Sequence, residues 1–318
     1  MRAVVVTQCG QSPAVGDRDT PVPGNGQRRI RVTAAPIAAL DLLCASGTSY
    51  FGVPATPYIP GTQGVGELDD GTAVWFATTA GMRPGDGSTA EYAVAGPDDT
   101  VALPDGVDSR LLAALSLSAV AAYMALTARG GLQPGAQVLV LGGGGVVGQA
   151  AIQLALLGGA RRVIAACRSD AARERALRSG AAACVPSTGA DVATLAAAMK
   201  EAADGPVDLV VDPLFGPPAA AALRTLRPGG VLVNVGGSAG DVAPIESSTL
   251  RSGSLRMLGY TNNALTVEQR AEAVRVIADH VRAGRLTLEY ETVPLSGVTE
   301  AWTRLAQGTA DRRIVLVP

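Results

Sequence analysis

Histidine and lysine are almost missing from this chain of 318 residues, each occurring once, as His280 and Lys200. A Ser–His–Asp hydrolase or a multi-histidine metal centre would have to be built around that single imidazole. Aromatic residues make up 3% of the chain, so apolar burial has to come from Ala, Val and Leu. The four cysteines, Cys9, Cys44, Cys167 and Cys184, form no C-x-x-C pair. A zinc knuckle or a thioredoxin-like site is therefore not expected. Charge of one sign is also missing, with 26 basic against 28 acidic residues and a net charge of -2. Without a basic patch, neither nucleic acid nor a membrane surface is an expected partner. No apolar run reaches the 18 or so residues of a membrane span. The opening Met1–Val6 reads as a strand rather than a signal peptide. The expectation is a cytoplasmic protein with free thiols.

Hydrophobic residues at 47% and charged residues at 17% belong to a folded chain. Its length suits two domains of roughly 150 residues each. Up to Asp108, the apolar runs Ala3–Val6, Ile30–Val32, Thr72–Phe76, Tyr92–Val94 and Val101–Leu103 alternate with turns rich in Gly, Pro and Asp. This half reads as a mostly antiparallel β domain, strand-like throughout. The character changes near Ser109, where Arg110–Ala128 reads as a helix. Strands are then predicted at Gln137–Leu141, Val163–Ala166, Val207–Val211, Val231–Val235 and Leu255–Gly259. Helices fall between them at Val147–Leu157, Ala171–Arg178, Val192–Ala203 and Ala219–Leu226. That alternation predicts an α/β fold with a doubly wound parallel sheet. Helices Val267–Ala283 and Val298–Ala306 and a strand Arg313–Val317 close the chain, with His280 expected on a solvent-facing helix surface.

The sharpest motif follows the first strand of this rhythm. Gly143, Gly145 and Gly148 satisfy G-x-G-x-x-G within Gly142–Gly148, between a strand and a helix. The glycines allow a tight turn, close approach of backbone N–H groups to a pyrophosphate, and tight helix–strand packing. The helix N-terminus adds partial positive charge. The next strand ends at Cys167-Arg168-Ser169, where an NAD-binding relative would carry a carboxylate about 20 residues beyond the motif. A guanidinium and a hydroxyl suit a 2′-phosphate, so NADP(H) is the expected cofactor, with Arg173 a further candidate ligand. Asp170 reads as the cap of the following helix, and Cys167 as a small residue at the ribose end. Asp212-Pro213 and Gly236-Gly237 end later strands on the carboxyl edge, where ligands bind in such sheets.

Several segments taken together resemble the zinc-independent quinone oxidoreductase branch of the medium-chain dehydrogenase/reductase superfamily. They are Ile30–Tyr50, Pro60–Gly66, Gly87–Val94, Gly130–Gln153, Leu226–Val233 and the closing Arg312-Arg-Ile-Val-Leu. The resemblance implies a GroES-like β domain (1–116 and 257–318) interrupted by a Rossmann domain (117–256). It implies cofactor contacts from Gly143, Gly144, Gly145, Val146, Val147, Gly148, Cys167, Arg168, Ser169, Arg173, Asp212, Val235, Gly236, Gly237, Tyr260 and Arg312. It further implies a homodimer and a small-molecule substrate. Zinc-dependent relatives carry Cys at the position of Ala38 and Gly-His-Glu at Gly61-Thr62-Gln63, so no metal is expected here.

The implied reaction is NADPH-dependent reduction of an enone, enal or quinone, with hydride delivered to the β carbon. The pattern also departs from the family: Ala38, Leu43 and Ala121 stand where an Asn, a Tyr and a Thr are common. The remaining catalytic candidates are Tyr50 as a donor or a rim tyrosine, Asp41 as a brace for its loop or an active-site acid, and Thr62 and Gln63 at the former metal position. Tyr260 and Asn262 follow a strand expected to re-enter the first domain. The alternatives are an enoyl-thioester or carbonyl reductase of a biosynthetic pathway, and a non-redox (for example cyclising) or catalytically silent NADPH-binding relative.

Overall fold

The computed structural model describes all residues, Met1–Pro318, and they divide into two compact units: Met1–Ser116 with Val267–Pro318, and Leu117–Thr266. The first unit begins with β1 (Arg2–Val5) and β2 (Ala14–Asp17), an antiparallel pair. β3 (Arg28–Pro36) leads into helix α1 (Ala39–Ser46). β4 (Gln63–Leu68), β5 (Ala73–Ala77), β6 (Tyr92–Ala95) and β7 (Thr100–Ala102) follow. Strands β3, β4, β5 and β7 are successive antiparallel neighbours, and β6 pairs with β3. Three of these elements, β2, α1 and β4, escape a reading by hydrophobic pattern. α1 is only eight residues long, starts at Ala38 with no side-chain cap of its own, and stops at Gly47 in the left-handed region. β4 is interrupted by Gly64 and Gly66, which dilute its alternation.

Helix α2 (Ser109–Met124) continues as a π turn through Arg129. The 21-residue segment Ser109–Arg129 is long and apolar enough to cross a membrane, which corrects the expectation that no run reaches that length. It is nevertheless a core helix, with Leu112, Ala113, Ala114, Leu115, Ala119 and Val120 buried in the protein. It is also broken at Ser116, whose φ of 35° and ψ of −129° are non-helical. The fully buried Trp75 donates its indole N–H to Ser116 Oγ at 2.6 Å, tying the distorted residue to β5.

The second unit alternates strand and helix: β8 (Gln137–Leu141), α3 (Val146–Leu157), β9 (Arg162–Cys167), α4 (Asp170–Arg178), β10 (Ala183–Pro186), α5 (Val192–Ala202) and β11 (Val207–Asp212). α6 (Gly216–Leu223), β12 (Leu226–Asn234), α7 (Ser247–Ser252) and β13 (Arg256–Gly259) complete it. Its six strands are all parallel, in the order β10-β9-β8-β11-β12-β13. This is the doubly wound order, with its switch point between β8 and β11. α6 begins three residues before the expected Ala219, because Pro217 and Pro218 are tolerated in a first helical turn. It ends at Leu223, freeing Leu226 to start β12. The expected boundary at residue 257 also shifts: β13 pairs with β12, so this unit runs through Thr266.

The chain returns to the first unit with α8 (Val267–Arg282), β14 (Tyr290–Pro294), α9 (Val298–Ala306) and β15 (Arg313–Val317). β14 lies parallel to β15, and β15 joins β3, extending the first sheet into a mixed seven-stranded one. Trp302 of α9 and Ile314 and Leu316 of β15 pack in one core with Val4, Val6 and Ile37. His280 is half-buried rather than solvent-facing, and its Nδ1 is enclosed without a partner. Burial, then Arg285, holds its pKa below the usual value. Replacing Trp75 by Phe removes the donor to Ser116. The expected loss is about 1–3 kcal/mol for a buried hydroxyl left without its partner, read as a lower urea midpoint by circular dichroism.

Candidate cofactor and substrate sites

In the second unit the site grows out of the carboxyl end of β8. Gly142 turns through a φ of 62°, the Gly143 N–H bonds Ala166 O at 3.2 Å, and Gly145 stands as N-cap of α3. The first intrahelical bond is Gln149 N–H to Gly145 O at 2.8 Å. The N–H groups of Val146, Val147 and Gly148 therefore have no intrahelical acceptor and make a ready anion site. A β carbon on Gly148 would lie 2.2 Å from Gly142 O, and one on Gly144 would lie 2.4 Å from Ala172 O. Gln149 Nε2 and Arg175 Nε both donate to Gly144 O at 3.0 Å. The loop is thus held from α3 and α4 together.

At the end of β9, Cys167 is 2% exposed, while Arg168 is exposed and forms no ion pair or side-chain hydrogen bond. Ser169, not Asp170, is the N-cap of α4, its Oγ accepting from Ala172 N–H at 3.3 Å. Asp170 stands in the first turn and pairs with Arg173 at 3.2 Å. The capping role expected of Asp170 therefore falls to Ser169. Ser169 spends an Oγ lone pair on the helix, and Arg173 already has a carboxylate partner.

Further along the carboxyl edge, Asp212 is fully buried and accepts from Leu214 N–H (2.9 Å), Phe215 N–H (2.8 Å) and Asn234 Nδ2 (3.0 Å). Burial raises its pKa against these bonds. Its carboxylate braces the turn into α6, where Phe215 has a φ of 58°. Asn234 Nδ2 also reaches Gly236 O at 2.7 Å, and Val235 N–H bonds Asp212 O at 2.8 Å. This fixes the half-buried Val235 and Gly236, with Gly237 exposed after them. Tyr260 follows the sixth strand of this sheet rather than entering the first unit. Its hydroxyl donates to Asn262 Oδ1 at 2.6 Å, and Asn262 Nδ2 donates to Leu117 O at 3.1 Å. Burial pushes the Tyr260 phenol up, with Arg129 opposing.

In the first unit, Asp41 on α1 is 3% exposed. Its carboxylate accepts from Ala38 N–H at 2.7 Å and from Thr62 N–H at 3.0 Å, joining the start of α1 to the residue before β4. Thr62 and Gln63 are both 1% exposed, and Gln63 O accepts from Ser88 Oγ. Burial raises Asp41 above its ordinary 3.8, opposed by its two backbone donors and by Arg313. Arg313 is itself buried, with Nε and Nη2 lacking partners, and burial lowers its pKa to about 10 against the pull of Asp41. Tyr50 does not join this cluster: it is 78% exposed, its ring centroid 4.2 Å from that of Phe51. Arg312 is exposed and pairs with Glu289 at 3.8 Å, so the arginine turned inward is its neighbour Arg313.

Residues 146–279 match the zinc-binding dehydrogenase family. The chain is 31% identical to quinone oxidoreductase-like protein 2 of Bos taurus, over 96% of its own length and 89% of that protein. The chain belongs to the medium-chain dehydrogenase/reductase superfamily, in its quinone oxidoreductase-like branch. It is also similar to the quinone oxidoreductase of Thermus thermophilus, solved alone and with NADPH, at 27% identity with both chains fully covered and a TM-score of 0.81. A segment of a phenolphthiocerol/phthiocerol polyketide synthase from Mycobacterium tuberculosis is 29% identical over 92% of this chain, which corresponds to 14% of that protein.

Within this oxidoreductase superfamily, three residues of the first-unit cluster carry no strong signal in the sequence. Arg313 sits in a run of two arginines, and only burial in β15 separates it from Arg312. Tyr58 is 5% exposed with an unpartnered hydroxyl, pushed up by burial and by Cys44 and Asp41. Cys44 is buried on α1, and burial raises its thiol. Replacing Asp41 by Asn turns one of the two carboxyl oxygens that accept backbone N–H bonds from Ala38 and Thr62 into an amide nitrogen. The expected cost is about 1–3 kcal/mol for a buried donor left without its acceptor, measured by urea unfolding. A raised carboxyl pKa means the folded state holds its proton longer, so Asp41's share of stability is full below 3.8 and falls as pH climbs through the raised value. The Asn variant loses that part of the slope.

Proposed function

We propose that the protein is a zinc-independent, NADPH-dependent reductase acting on an enone, enal or quinone-like small molecule. The observation that carries this reading is the second unit's loop. It offers free N–H groups on Val146, Val147 and Gly148, no β carbon at the crowded glycines, and an unpaired Arg168 at the tip of β9. The residues present fit the dinucleotide: the helix start takes the pyrophosphate, and Arg168 takes the 2′-phosphate that no carboxylate at Cys167 or Ser169 repels. Ser169 and Arg173 sit at the same end, although their first bonds are made within α4. Bound NADPH supplies the hydride.

Zinc is left out of the reaction on the chemistry of the side chains. Ala38 has no donor atom in its side chain, and Thr62 and Gln63 offer only a neutral hydroxyl and amide where zinc takes thiolate, imidazole or carboxylate. Asp41 positions Ala38 and Thr62 from below rather than touching the substrate. Tyr50, with its exposed phenol, is the donor proposed to protonate the α carbon once hydride has reached the β carbon, and it recovers its proton from water. The same reading puts the protein in the cytoplasm as a homodimer, with β13 at the free edge of the parallel sheet as the pairing strand.

Likeness to part of a polyketide synthase keeps an enoyl-thioester reductase as the second reading. Absorbance at 340 nm tests both. A panel of enones, enals and quinones, with an enoyl thioester alongside, is expected to consume NADPH, and the fastest acceptor decides between them. Tight NADPH binding without turnover of any acceptor would sink both in favour of a silent or non-redox protein. Arg168→Ala is expected to weaken NADPH about tenfold with NADH unchanged, the loss of one charge-assisted phosphate contact, in a fluorescence titration of both nucleotides. An unaltered preference removes the 2′-phosphate role.

A further inference from the structure

Helix α4 lies against the glycine loop along one face, and small residues on that face set how closely. Ala172 and Ala176, four residues apart, are both buried. A β carbon on Gly144 would lie 2.4 Å from Ala172 O and 2.5 Å from its α carbon, and one on Gly143 would lie 3.3 Å from the Ala176 side chain. Arg175 stands three residues after Ala172, so its side chain starts beside the loop. Its Nε donates to Gly144 O at 3.0 Å, across 31 positions of sequence. The neighbouring arginines are placed differently. Arg173 pairs with Asp170 and Arg178 with Glu174, both acids of α4 itself. Arg175 has no carboxylate partner, and its side-chain hydrogen bond goes to the loop.

That bond fixes more than one atom. The Gly144–Gly145 peptide is planar, so its oxygen and its N–H point to opposite sides. Arg175 Nε and Gln149 Nε2 hold the oxygen, and the N–H is bonded to Gly142 O at 3.0 Å. Gly145 is the N-cap of α3, so the tilt of this plane sets the direction of the helix's first turn. The outward N–H groups of Val146, Val147 and Gly148 follow from that direction. Gln149 belongs to α3 and moves with it. Arg175 is the side chain that ties the plane to a different element.

We propose that Arg175 is a positioning residue for dinucleotide binding: by fixing the Gly144 carbonyl it aims the amides of Val146, Val147 and Gly148 at the pyrophosphate. The two linked phosphates it serves are common to NADH and NADPH, whereas Arg168 answers only the 2′-phosphate. The two arginines therefore have separable effects. Arg175 sets how tightly either nucleotide is held, and Arg168 sets the preference between them. A guanidinium suits the position because it stays charged at any working pH, and a charged donor makes the stronger bond to a carbonyl.

The effect on affinity rests on the NADPH reading, whereas the effect on the loop does not. Arg175→Met keeps an apolar stem and removes every donor, while Arg175→Lys keeps a charged one. Fluorescence titrations of NADPH and NADH are run on the wild type and both variants. Amide hydrogen exchange of the nucleotide-free proteins is followed by mass spectrometry over the 142–149 segment, which holds the bonded amides of Gly143, Gly145 and Gln149. Arg175→Met is expected to weaken both nucleotides by the same factor, about tenfold, the worth of one hydrogen bond from a charged donor. Exchange in the segment is expected to quicken, and Arg175→Lys to recover most of both losses. Unchanged affinity for both nucleotides in Arg175→Met overturns the proposal. A loss confined to NADPH does so too, because it makes Arg175 a ligand of the 2′-phosphate. Faster exchange spread over the whole parallel sheet, with no recovery in Arg175→Lys, marks general stability and also overturns it. If the wild type binds neither nucleotide, the cofactor reading falls, and exchange in the 142–149 segment alone decides whether Arg175 sets the loop.

Discussion

The Gly142 carbonyl and the α carbon of Gly148 approach so closely that a β carbon would sit 2.2 Å from the oxygen, and the second unit is arranged around that contact. It brings the first turn of α3 onto the end of β8, which is what leaves three amides facing outward from one spot. The surroundings then hold the loop rather than leaving it to its glycines. Gln149 and Arg175 share the Gly144 carbonyl, and Gly143 is bonded to β9. A site made of backbone needs few functional side chains, which accords with a chain holding one histidine and one lysine.

The first unit solves a different problem. Asp41 is a buried carboxylate whose partners are mostly backbone, and it joins the start of α1 to the residue before β4. The fastening consists of two N–H bonds and the nearby buried charge of Arg313. A buried charge pair of this kind contributes little net stability against apolar side chains of similar size. It does make the geometry of Thr62 depend on a charge set well away from it in sequence, at the far end of the chain.

Much of this was legible in the residues, and the limits have physical causes. β8, α9 and β15 are read to the residue, because a wholly buried strand or a strongly two-faced helix writes its period plainly. α1 and β4 are not, since eight residues opened by Ala38, and six residues interrupted by two glycines, write no period at all. The glycine loop declared itself by spacing and context, while the assignment of the α4 cap to Asp170 slipped by one residue because Ser169 and Asp170 both have capping side chains. Arg312 and Arg313 show the hardest limit: adjacent, chemically identical residues are told apart only by which of them the fold buries.

The two tryptophans, Trp75 in β5 and Trp302 in α9, are both buried and both belong to the first unit. Tryptophan emission therefore arises from one half of the molecule alone, and the parallel-sheet half contributes only the tyrosines Tyr123 and Tyr260. A melting curve followed by tryptophan emission describes the mixed sheet, and a nucleotide that stabilised only the second unit would leave that curve in place while shifting one followed by helix content. Any divergence between the two signals then measures how strongly the halves share their cooperativity.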